Sequence, residues 1–164
     1  HPFSVACLIS QYSDNEDLIS AALLHDVLED ADGYDFKELN KDFGKNVASI
    51  VKEVTEDRTG SEENWNLKDN WKKRKSGYLK NLKKASTEAL LISAADTVHN
   101  LRSLKEIYKL NRKKSLKNFQ SSIEDKSVFY GKVIAIVADR LNSGIVSELQ
   151  EAYSDLHYLL AHDS

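Results

Sequence analysis

Only one proline occurs in the 164 residues, and it stands at position 2. Proline suits the first position of a helix, where its missing N–H has no helical partner to lose. Pro2 therefore opens a helix rather than breaking one, and Phe3, Val5, Ala6, Leu8 and Ile9 follow at once. Beyond it the chain contains no other proline and only six glycines in all, so little opposes helix formation. The fold class this implies is all-α, a compact helical bundle.

Apolar spacing divides the chain into segments. Ile19, Ala22, Leu23 and Leu28 recur with helical period and predict a helix from about Glu16 to Asp30, ended by Asp32-Gly33. A short helix over Asp35 to Asn40 should precede a clearer one, in which Val47, Ile50, Val51 and Val54 fall at i, i+3, i+4 and i+7 on one side. Thr55 to Asn66 is polar, contains Gly60 and reads as a loop or frayed end. Leu67 to Lys84 carries Trp71, Tyr78, Leu79 and Leu82, which predicts a helix with an aromatic inner side. Thr87 starts another, whose stripe of Leu90, Leu91, Ala94, Ala95, Val98 and Leu101 includes residues small enough for close packing at the centre of the bundle. Asn111 to Lys117 reads as a basic connection. Two last helices, Ile123 to Leu141 and Ile145 to Leu160, turn at Gly144. No repeat, linker or shift in composition requires a second domain, and a chain of this length buries roughly two thirds of its unfolded surface in one core.

Charge narrows the partners. The formal charge of -3 gives no global reason to bind a nucleic-acid polymer, and no apolar run is long enough to span a membrane. The lone Cys7 cannot form an internal disulfide, so a cytoplasmic setting is expected. Lys68, Lys72, Lys73, Arg74, Lys75, Lys80, Lys83 and Lys84 crowd one segment against a single acid, Asp69. That run is either a solvated helix face or a rim that attracts an anionic substrate. Self-association stays open.

Chemistry concentrates in two places. In His25-Asp26-Val27-Leu28-Glu29-Asp30, a continuous helix would put His25 near Glu29 and Asp26 near Asp30, each four residues apart. Three carboxylates in so short a stretch repel one another by about 0.2–0.5 kcal/mol per i,i+4 pair, and a divalent cation would reverse the sign. The second place is the otherwise apolar helix around Asp96, His99, Asn100 and Ser103, where Asp96 needs a partner because an unpaired inward carboxylate is costly. Arg102 or a lysine is the alternative to a metal there. Imidazole and carboxylate together suit Mn(II), Fe(II) or Zn(II) better than calcium's all-oxygen shell.

His1 before Pro2, the His25-Asp26 doublet, Glu29-Asp30, and Ala95-Asp96 followed by His99-Asn100 together resemble the HD phosphohydrolase superfamily. Within it, residues 1 to about 110 are similar to the hydrolase domain of the alarmone synthetase/hydrolases and their small stand-alone relatives, which remove the 3′ pyrophosphate from guanosine tetra- or pentaphosphate. The resemblance implies an HD-type helical bundle binding one divalent cation, Mn(II) being expected with Fe(II) or Zn(II) as alternatives. It makes His1, His25, Asp26 and Asp96 the ligands. Glu29 and Asp30 match the acidic pair that handles the attacking water and the leaving group, Asn100 and Ser103 match substrate-holding positions, and His99 matches a supporting histidine. The implied partner is a small phosphorylated nucleotide. A helical segment with basic nucleotide contacts is expected ahead of His1, so residues 1–164 are read as one HD-type domain lacking N-terminal residues of the complete protein. Another nucleotide phosphatase or pyrophosphatase, or a catalytically silent regulatory HD module, are the competing readings.

Three further features have ordinary explanations. Trp65 and Trp71 could stack on a base, but core packing is the better reading for Trp71 and Tyr78. His157, His162 and Asp163 lack a further partner and read as an exposed final turn, and Asp139-Arg140 reads as a charge pair at a helix end.

Overall fold

The helices follow from their ends as much as from their faces. The structure, a computed structural model, describes residues 1–56, 67–111 and 123–162, and among these it contains eight helices and no strand. Trp65, Asp163 and most of the expected 55–66 and 111–117 connections lie outside the described residues.

Helix α1 (Pro2–Ile9) starts at Pro2 as expected, and the His1 carbonyl accepts from Val5 N. Helix α2 (Glu16–Leu24) is capped by Asn15, whose side chain accepts from the N–H groups of Asp17 and Leu18, and Glu16 and Asp17 complement the positive end of its dipole. The single helix expected from Glu16 to Asp30 is two. The chain breaks at His25 and Asp26, and α3 (Val27–Asp30) is one turn beginning after Asp26, which sits at φ -95°, ψ -5°. No glycine or proline announces that break. Glu29 and Asp30 are therefore presented from a new turn, in which Asp30 N donates to the Asp26 carbonyl at 3.0 Å, so the four-residue relation between Asp26 and Asp30 is kept.

Helix α4 (Phe36–Val54) opens with a capping box: Asp35 accepts from the N–H groups of Lys37 and Glu38, and Asp35 N donates back to Glu38 Oε2. Gly44, at φ 84° and ψ 165°, interrupts it, so the short helix and the longer one expected on either side are both present. That conformation belongs to glycine almost alone. Past the kink, Val47, Ile50, Val51 and Val54 are all buried.

Helices α5 (Leu67–Leu82), α6 (Thr87–Asn111), α7 (Ile123–Arg140) and α8 (Gly144–His162) complete the bundle. Helix α6 is its axis, touching α1, α2, α4, α7 and α8. Its buried residues include Ala89, Ala94, Ala95 and Ser93, whose small side chains admit close neighbours on several sides, while Leu90, Ile92, Val98 and Leu101 are fully or almost fully buried. Burying each of these branched side chains is worth about 1.5–3 kcal/mol. Ile145, Leu149, Ala152 and Leu156 return the contact from α8. One apolar core joins residues from α1 to α8.

Polar contacts then fix how the helices sit. Arg140 does not pair with Asp139; its Nη1 donates to the carbonyls of Leu82 and Lys83, satisfying the end of α5. Tyr12 and Arg102 both donate to Glu148, joining the α1–α2 connection, α6 and α8. The tyrosine's pKa rises to about 12 because its hydroxyl is hydrogen-bonded to that carboxylate. His157 meets Ser127 at 2.7 Å and His162 meets the Tyr158 carbonyl at 2.9 Å, structural roles in an exposed last stretch. No helix among the described residues is long and apolar enough to cross a membrane.

Two glycines on helices should respond oppositely to alanine. A Cβ meets nothing within 4 Å at either Gly44 or Gly77, so only backbone preference differs. Gly44→Ala should lose about 1–3 kcal/mol in urea denaturation, and Gly77→Ala should gain about 0.5–1 kcal/mol.

Candidate metal centre

Three segments far apart in the chain deliver the ionisable groups. The start of α1 brings His1, the break between α2 and α3 brings His25 and Asp26, and the middle of α6 brings Asp96. His1 Nε2 lies 3.0 Å from Asp96 Oδ1, 3.2 Å from His25 Nε2 and 3.6 Å from Asp26 Oδ2. His25 Nε2 is 3.2 Å from Asp26 Oδ2 and 3.9 Å from Asp96 Oδ1. Arg102, the alternative partner for Asp96, is engaged with Glu148.

The proton positions show what this arrangement lacks. His25 is buried, and its Nδ1 lies 2.7 Å from the Ala22 carbonyl, which can only accept. Nδ1 therefore carries the hydrogen, and in a neutral ring Nε2 presents a lone pair. That lone pair faces His1 Nε2 and the Asp26 carboxylate, so acceptors confront acceptors unless a proton or a cation intervenes. Burial raises the pKa of Asp26, while the hydrogen bond to Asp96 raises that of His1. A divalent ion with ligand distances of about 2.0–2.2 Å holds its donors roughly 3.0–3.5 Å apart, close to four of the five separations. The donor atoms of His1, His25 and Asp96 all lie within 4.8 Å of one another, and Asp26 adds a second carboxylate. Two imidazoles and two carboxylates fit a divalent cation.

Neighbours aim these groups. His99 Nδ1 lies 2.9 Å from His1 Nδ1, with the rings edge to face, so it supports the histidine that carries Nε2 into the cluster. Burial, and then the neighbouring His1, lower the pKa of His99. Asn100 Nδ2 donates to Asp96 Oδ1 at 2.7 Å, leaving the amide oxygen available.

A cavity of about 460 Å³ runs from the cluster between α4, α5, α6 and α7. His1, His25, Asp26, Glu29, Asp96 and Asn100 line it, and Trp71, Arg74, Lys75, Tyr78, Lys126, Phe129 and Tyr130 line it as well. Glu29 Oε1 accepts from Glu56 N at 2.8 Å, and the Glu56 carboxylate pairs with Lys75. Asp30 does not line the cavity, although its charge acts on both His1 and Asp26. Ser103 is not brought there either, because it sits nearly a helical turn beyond Asn100, about 4.5 Å further along the axis.

The basic run is not one rim. Arg74 and Lys75 face the cavity, Lys72 pairs with Asp125 at 3.1 Å, and Lys80 and Lys83 belong to another face. Trp71 is both core and cavity wall, edge to face with Phe129. Sequence reasoning missed Glu56, Lys126, Phe129 and Tyr130. A usable signal was present: Lys126 falls on the same stripe as Phe129, Val133 and Val137, where a solvent-facing lysine would not be expected. Burial, together with Lys75, lowers its pKa.

A helical bundle that gathers two histidines and two carboxylates from three segments beside a deep polar cavity is the arrangement of a divalent-metal-binding domain. The HD-domain profile matches residues 1–123, and the chain belongs to the HD-domain family. Among curated proteins it is similar to the guanosine-3′,5′-bis(diphosphate) 3′-pyrophosphohydrolase MESH1 of Drosophila melanogaster, 36% identical over 106 residues, 63% of this chain and 54% of the relative. It is also 30% identical over 106 residues to the bifunctional (p)ppGpp synthase/hydrolase SpoT of Escherichia coli K12, covering 63% of this chain and 14% of that one. The chain thus spans about half the length of the MESH1 relatives it matches. A solved structure described as a metazoan ortholog of SpoT that hydrolyzes ppGpp superposes with a TM-score of 0.73 at 28% identity, over 94% of this chain and 78% of that one. A Listeria monocytogenes EGD-e crystal structure superposes at 0.78 with 23% identity, over 98% and 99%, and shows the shared fold.

Because His99 orients His1, His99→Ala should weaken divalent-cation affinity by about 10–100-fold. Titration calorimetry with Mn(II) would measure this, with circular dichroism confirming unchanged helicity.

Proposed function

We propose that this chain is a metal-dependent phosphohydrolase that removes the 3′ pyrophosphate from guanosine 3′,5′-bis(diphosphate), with His1, His25, Asp26 and Asp96 holding one Mn(II) ion. The observation that carries this is the meeting of that donor set, Glu29 and three cationic side chains in one cavity. The MESH1 and SpoT relatives, named for this substrate, support it. Fe(II) and Zn(II) suit the same donors. The exposed, unpaired Cys7 accords with a cytoplasmic site of action.

When bound, the cation would lower the pKa of water and polarise a phosphoryl oxygen. The protein's own groups supply the rest. Glu29, held by the Glu56 N–H, accepts the proton of the attacking water, and the leaving ribose 3′ oxygen takes a proton from solvent, while Asp30 acts from outside the cavity through its charge on His1 and Asp26. Water's oxygen bonds to phosphorus as the bond from phosphorus to the 3′ oxygen breaks, giving pyrophosphate and guanosine 5′-diphosphate. Asn100 turns its amide toward the substrate while steadying Asp96. Arg74, Lys75 and Lys126 offset phosphate charge, and Trp71, Phe129 and Tyr130 give the nucleoside an aromatic wall.

Purified protein with Mn(II) should release pyrophosphate from guanosine 3′,5′-bis(diphosphate), and a chelator should stop it. Ready cleavage of simpler nucleotides with none of this substrate would move the assignment to a different nucleotide phosphatase or pyrophosphatase. A folded protein that neither binds metal nor cleaves any phosphate ester would make it a regulatory module. Asp26→Asn should abolish metal-supported turnover with helicity kept. Glu29→Gln should lower kcat by about 10²–10⁴-fold while leaving Mn(II) binding in place, which steady-state kinetics and calorimetry separate.

A further inference from the structure

Helices α5 and α7 build a second concavity beside the reaction cavity. Ser76, Leu79 and Lys80 of α5, with Lys83 in the turn just after it, face Lys132, Ala135 and Ile136 of α7 across a groove of about 520 Å³. Its size falls in the range of about 300–1,000 Å³ typical of small-molecule sites. Its floor is aliphatic and its charged lining is wholly cationic. Among the described residues none of the three lysines has a carboxylate partner, whereas Lys72, Lys75, Lys105 and Lys109 all do. The groove thus gathers positive charge from both of its sides with no acid among its lining residues.

We propose that this groove is a binding site for a phosphorylated small molecule carrying at least two phosphate charges and an apolar portion. Ammonium groups are good point-charge partners for phosphate. The lysines come from both sides of the groove, so one phosphate alone meets one side, while a diphosphate or longer chain bridges Lys80 and Lys83 to Lys132. Leu79, Ala135 and Ile136 receive the uncharged part. No aromatic ring lines the groove, so base stacking contributes nothing to selectivity there.

The position gives binding a consequence. The same two helices present Arg74, Lys75 and Tyr78, and Lys126, Phe129 and Tyr130, to the reaction cavity. A ligand that ties α5 to α7 from the groove therefore bears on the spacing of those cavity walls, as an effector would. Binding itself does not depend on which phosphate ester the cavity cleaves.

Lysine acylation followed by mass spectrometry, on the full chain with and without inorganic pyrophosphate or guanosine diphosphate, tests this residue by residue. Acylation of Lys80, Lys83 and Lys132 should slow several-fold with ligand, while exposed Lys41 and Lys45 keep their rates. In the Lys80→Glu/Lys132→Glu variant, the pyrophosphate concentration that half-protects Lys83 should rise about tenfold or more. Protection by guanosine diphosphate alone would support the site and assign a larger share to the aliphatic floor. Unchanged rates at the three lysines, equal slowing at Lys41 and Lys45, or a half-protection point indifferent to the charge reversal would each overturn the proposal. Turnover is not the readout, so the outcome stands apart from that for the catalytic assignment.

Discussion

The structure turns on an electrostatic conflict that a shared proton or a cation resolves. His25 spends its Nδ1 hydrogen on the Ala22 carbonyl, which leaves a lone pair directed at another imidazole and a carboxylate. Bringing those groups together costs free energy in a partly buried setting, and the helical frame supplies the constraint that holds them there. Helix α6 packs against α1 and α2 through small and branched residues, which places Asp96 opposite His1 and His25. The core and the site are thus one design: the alanines that let the helices approach also bring the turns that carry the candidate ligands into range.

Much of this was legible in the residues. Pro2 marked the start of α1, the Val47 to Val54 stripe marked the buried face of α4, and the small-residue stripe correctly put α6 at the centre. The ligand candidates were readable because polar residues interrupted apolar patterns. The family profile then agreed with the motifs that had pointed to it.

What was not legible depended on contacts distant in sequence. The break at His25-Asp26 has no glycine or proline to signal it, so periodicity alone ran one helix through it. Ser103 shared a helical face with Asp96, but shared azimuth says nothing about height along the axis, and the cavity ends near Asn100. The basic run looked like one surface in sequence, while helical geometry dealt its members to different neighbours. The α7 wall of the cavity was hidden because two of its three lining residues, Phe129 and Tyr130, could serve equally well in any core.

The attachment of Glu29 has a consequence for how this domain tolerates change. Its carboxylate is gripped by a main-chain amide at the end of α4, not by the side chain of the residue that supplies it. Position 56 can therefore drift through almost any amino acid without releasing that grip, proline excepted, since proline has no amide hydrogen to offer. The position of Glu29 answers at that point to the path of the backbone, whereas the Glu56 side chain governs only Lys75 across the cavity.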